Sequence, residues 1–89
     1  MPPQKTEDEL DDIADAVLTR IYEETIPPMD FMAFKKDPDR EIEIGFYRRY
    51  YLPKKRQMII LETVCKERGC TSVEIMRIKM KVMCWAPAG

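Results

Sequence analysis

The chain contains no histidine and only three cysteines, Cys65, Cys70 and Cys84, with no Cys-x-x-Cys pair among them. A zinc site built from these thiols would need a carboxylate at irregular spacing, so no metal or other cofactor is expected. An odd thiol count fits reduced cysteines in a cytosolic protein better than a disulfide framework. Long apolar runs are missing too. Met58-Ile59-Ile60-Leu61 is typical of them and falls far short of the roughly 20 residues that span a bilayer. The opening Met1-Pro2-Pro3-Gln4-Lys5 is polar and leads into acids, without the apolar stretch of a secretory signal. A cytoplasmic setting with no membrane segment is the expectation. Glycine is scarce, with three residues and no phosphate-cradling loop, which together with frequent aliphatic residues argues for a packed chain over a low-complexity one.

What is present divides unevenly. The 89 residues bound a single small domain, near the size at which one core just supports folding. Net charge is −1, yet residues 1–45 carry five cations against thirteen acids, a net of −8, and residues 46–89 carry ten against three, a net of +7. Such a dipolar chain either matches its two halves internally or presents a basic face to something anionic.

Residues 1–5 lack an apolar anchor and are expected to be disordered, with a single domain over 6–86 and a tail at 87–89. Thr6 and Glu9 form a capping box, Glu7, Asp8 and Glu9 favour the positive end of a helix dipole, and Leu10, Ile13, Ala14, Val17, Leu18 and Ile21 recur at helical spacing. A helix over about 6–24 follows, ended by Pro27-Pro28. Residues 30–36 are apolar and short and predict a strand. Asp37-Pro38-Asp39-Arg40 reads as a turn, and Glu41-Ile42-Glu43-Ile44-Gly45-Phe46 alternates as a second strand reaching 51. Pro53 suits the start of a helix over 54–68, which Gly69 ends. In the last segment Ile78, Met80, Val82 and Cys84 alternate with Arg77, Lys79 and Lys81, predicting a strand. The competing reading is a helix, carried by a second capping box at Thr71 and Glu74 and by Ile75, Ile78 and Val82. The expected fold is therefore α+β, a two-layer α-β-β-α-β domain with two helices packed on one face of a three-stranded sheet whose open edges suit a homodimer.

The densest candidate site is Phe46 to Arg56, in which Tyr47, Arg48, Arg49, Tyr50, Tyr51, Lys54, Lys55 and Arg56 combine cations with aromatics. Such a surface suits a protein hot spot, or phosphate contacts with stacked bases. Arg77, Lys79 and Lys81 would extend the basic face along the last strand. A helix-turn-helix is a further candidate, since Cys65 precedes Gly69 by four residues and Ile75 and Ile78 follow it by six and nine. Glu41 and Glu43 share a strand face, but no nucleophile accompanies a base, so no enzyme is expected. The methionines read as core filler. The expected function is a non-enzymatic interaction or regulatory module that binds a protein partner. Nucleic-acid binding is the alternative, opposed by a pI of about 5.5.

Overall fold

The structure, a computed structural model, describes residues 4–39 and 49–89, and among them it holds four helices and no strand. These are α1 (Glu7–Glu24), α2 (Phe31–Lys36), α3 (Lys54–Glu67) and α4 (Ser72–Met83). The expected α+β domain with a three-stranded sheet is overturned: residues 31–36 and 72–83 are helical. Most of the expected middle strand, 41–51, lies outside the described residues, as does the Glu41 and Glu43 pair. The sheet-edge route to a dimer loses its basis with the sheet.

Two causes, one local and one tertiary, explain the correction. In the last segment the Thr71 hydroxyl accepts from the Glu74 N–H at 3.2 Å while the Glu74 carboxylate accepts from the Thr71 N–H at 2.8 Å, a complete capping box. The apparent alternation was two helical faces superimposed: Ile78 and Val82 point into the core, whereas Met80 and Cys84 are exposed. Unbranched methionines also favour a helix over a strand. For residues 31–36, a helix this short would not persist alone. Asp30 caps it by accepting from the Ala33 N–H at 3.2 Å, and Phe31 and Phe34, three residues apart, are both buried. Phe31 stacks on Tyr22 with ring centres 5.3 Å apart, and Trp85 meets Phe31 and Phe34 edge-on at 5.8 and 5.4 Å. Tertiary burial thus supplies what local propensity does not.

Helix α1 is the centre of the packing. Its stripe of Leu10, Ile13, Ala14, Val17, Leu18, Ile21 and Tyr22 is buried, and it touches all three other described helices, while α3 and α4 also touch each other. Each fully buried aliphatic side chain contributes about 1.5–3 kcal/mol, which makes this stripe the main source of stability. Ile60, Leu61, Val64 and Cys65 of α3 and Ile78 and Val82 of α4 complete the core. Gly69 breaks the chain between α3 and α4 at φ 68°, a left-handed conformation that glycine adopts without steric cost.

The segment after α1, the segment before α3 and the C-terminal segment are joined by backbone hydrogen bonds. The Ile26 N–H donates to the Tyr51 carbonyl at 2.9 Å, the Tyr51 N–H returns to the Ile26 carbonyl at 3.3 Å, and the Leu52 N–H donates to the Ala88 carbonyl at 3.0 Å. The buried Gln57 amide donates to the Leu52 and Pro87 carbonyls at 2.8 and 3.3 Å, satisfying both its own polarity and theirs. These bonds lay the C-terminal segment across the start of α3.

Candidate protein-binding face

The basic aromatic stretch is divided by the fold. Tyr47 and Arg48 lie outside the described residues. Tyr50 is buried with the core, and Arg49 is exposed with its guanidinium 6.0 Å from the Tyr50 ring centre. Tyr51 is about half exposed, its backbone engaged by Ile26. Lys54, Lys55 and Arg56 occupy the exposed first turn of α3. Arg56 is engaged from within the chain: it makes two hydrogen bonds to Glu24, at 2.8 and 3.0 Å. The hydrogen bond from Arg56 holds the Glu24 carboxyl below its ordinary value.

The second basic row divides as well. On a helix, Arg77, Lys79 and Lys81 do not share a face as they would on a strand. Arg77 pairs with Glu7, and Lys81 lies 3.0 Å from Glu7 and 2.6 Å from Asp11, so two of the three bind the acidic side of α1. Lys79 turns the other way. Together with Arg56 and Glu24, these pairs show that the acidic first helix is matched to the basic half of its own chain. Lys55 and Lys79 make no ion pair among the described residues, and Lys54 reaches only the Pro87 carbonyl, at 3.5 Å.

The outer face of α4 is unexpectedly apolar. Val73, Met76, Met80 and Met83 are 65, 69, 73 and 63 % exposed and recur at intervals of three and four residues, one continuous stripe opposite Ile78 and Val82. Met58 and Ile59 of α3 are also substantially exposed, at 37 and 51 %. The reading of the methionines as core filler is corrected for Met32, Met58, Met76, Met80 and Met83; Met29 alone of that set packs partly against the core. Between α3 and α4 runs a groove of about 220 Å³, lined by Lys54, Gln57, Met58, Leu61, Lys79, Val82, Met83 and Ala86. Its lining is largely apolar, it holds two lysines and it contains no carboxylate. Single exposed apolar residues are ordinary, but a stripe of four beside an apolar groove is the usual mark of a contact surface. Reading residues 71–84 as a helix from the Thr71 box would have exposed this stripe in the sequence.

The remaining chemistry-bearing groups are structural. Glu74 is buried, accepts from the Thr71 and Lys5 N–H groups at 2.8 and 2.9 Å, and has its carboxyl held below the ordinary value chiefly by these backbone hydrogen bonds. Burial pushes the Cys65 thiol up to about 12, so it is no nucleophile at neutral pH. A second cleft of about 500 Å³ is lined by Thr19, Glu23, Pro28, Met29, Asp30 and Phe31. There Asp30 caps α2 and the Thr19 hydroxyl donates to the Asp15 carbonyl at 2.8 Å. Among the described residues no three potential ligands converge on a metal-sized site, and no helix is long and apolar enough to cross a membrane. The chain matches no protein-family model, no curated protein and no solved structure.

Proposed function

We propose that this protein is a non-enzymatic interaction module, and that it binds a protein partner through the outer face of α4 and the adjoining α3–α4 groove. The single observation that carries the reading is the exposed stripe of Val73, Met76, Met80 and Met83 on a helix whose opposite face already fills the core. Thioethers repack around varied partner shapes at little cost, which suits a contact surface. The basic stretch contributes its free members, Lys54 and Lys55, to the rim of this surface. The odd thiol count without a Cys-x-x-Cys pair suits a reducing, cytoplasmic setting, which belongs to the same reading. Affinity capture from native cell extract tests the reading. The intact chain should retain a partner that the Met76→Glu/Met80→Glu double variant loses; identical captures from both would overturn it.

Nucleic-acid binding is the second reading, favoured by the α3–Gly69–α4 arrangement. Cys65 and Ile78 are buried at that junction and Ile75 packs partly against the core, as the helix-turn-helix spacing requires. It ranks lower because the outward face of α4 is apolar where base and phosphate contacts need polar groups, and because Arg77 and Lys81 are engaged by α1. Oligonucleotide binding at low salt that weakens steeply with added salt would reverse the ranking.

A further inference from the structure

We infer that the partner element this face takes is an acidic amphipathic helix, one whose apolar side chains recur every three or four residues between flanking aspartates or glutamates. The inference rests on the reading of the α4 face as protein-binding and adds the chemistry of the occupant.

Shape comes first. The stripe from Val73 to Met83 covers about 15 Å along α4, three turns of helix. A partner helix laid along it presents side chains at matching intervals, and the groove bounded by Met58, Leu61, Val82 and Met83 receives an apolar anchor. At about 220 Å³ the groove is smaller than the roughly 300 Å³ at which small-molecule sites begin, and it suits one or two side chains.

Charge then selects among helices. Lys54 and Lys79 both line the groove, with no carboxylate among its lining residues. The only acid on α4 is Glu74, which is buried in its own capping box. The first turn of α3 contains no acid and its N-cap, Pro53, provides no side-chain acceptor, so the helix dipole adds positive potential near Lys54. Carboxylates flanking the partner's apolar side chains would meet these groups, and lysines or arginines there would be repelled. A second copy of this chain fits poorly. Laying α4 against α4 brings the unpaired Lys79 of each copy to the edge of the contact, with Lys54 beside it and no carboxylate in the groove to meet either. The acidic α1 cannot serve as the occupant either, because its large apolar residues are all buried and its outer face has nothing to fill the groove.

A displayed library of helical peptides, with apolar positions fixed at three- and four-residue spacing and flanking positions randomised, tests this against the full chain. Selection should enrich Asp and Glu at the flanks. A selected peptide should bind the Lys54→Glu/Lys79→Glu variant roughly tenfold more weakly, and selection on that variant should turn toward Lys and Arg. Enrichment of neutral or basic flanks on the intact chain would overturn the inference and leave the apolar-face reading standing. No enrichment above the Met76→Glu/Met80→Glu variant, together with monomeric sedimentation, would overturn both. No enrichment with self-association that Met80→Glu abolishes would overturn the inference and assign the face to a second copy. Thermal melts of each variant verify that the fold is retained.

Discussion

Helices α1 and α4 begin in the same way and end up serving different ends. Each opens with a Thr-x-x-Glu capping box, at Thr6 and Glu9 and at Thr71 and Glu74, and each buries an apolar stripe against the other. On α1 every large apolar residue is inside and the outer face is charged. On α4 the apolar residues divide, Ile78 and Val82 inward and Val73, Met76, Met80 and Met83 outward. A helix that only had to complete the core would carry polar residues at those outer positions. The proposed binding surface rests on this difference.

Substitutions on the two helices test this division, beginning with the largest expected loss. Leu18→Ala on α1 and Ile78→Ala on α4 both leave a cavity in the common core and should each cost about 2–5 kcal/mol in denaturant titration. A far smaller cost for Ile78→Ala would mean that α4 is not integral to the fold. The caps come next. Thr6→Ala should cost roughly 0.5–1 kcal/mol and Thr71→Ala roughly 1–2, because the second box is partly shielded from water and the first is exposed.

Acid should weaken the start of α4. The Glu74 carboxyl is held below its ordinary value of 4.5 in the folded chain, so its contribution is fully present above that pH and disappears as pH falls through the lowered folded value. The melting temperature of the intact chain should therefore converge on that of Glu74→Gln as pH is lowered from about 6 toward 3. A gap between the two that stays constant would show that Glu74 contributes through its shape alone. The smallest effect belongs to the outer stripe: Met76→Glu or Met80→Glu should change stability by no more than about 0.5 kcal/mol in the same titration. A loss comparable to that of Ile78→Ala would erase the distinction between the two faces of α4.

Electrostatics connects the two helices across the chain's charge asymmetry. The net of −8 in residues 1–45 against +7 in residues 46–89 signals matching or an external anion, and the ion pairs of Glu24 with Arg56, Glu7 with Arg77 and Asp11 with Lys81 answer in part with matching. These pairs are solvent-exposed, so each contributes little to stability by itself. Their consequence is to remove three cations from any outside partner; among the described residues Arg49, Lys54, Lys55, Lys66, Arg68 and Lys79 of the basic half form no ion pair, and of these Lys54 and Lys79 line the groove.

Helix α1 with its cap and buried stripe, helix α3 up to Gly69, and the charge asymmetry were all determined by the sequence alone. Each depends on signals within a few residues: a capping box, a 3.6-residue period, a glycine at positive φ. What the tertiary structure decided is the state of residues 30–36 and 71–84, which local pattern left open or misdirected. Phe31 and Phe34 become helical because Tyr22 and Trp85, distant in sequence, provide the surface that offsets nucleation. In α4, the alternation of Ile78, Met80, Val82 and Cys84 suits a strand as long as all four are assumed to be buried. Only the packing against α1 shows which two are, and by leaving the other face of α4 bare it creates the site proposed here.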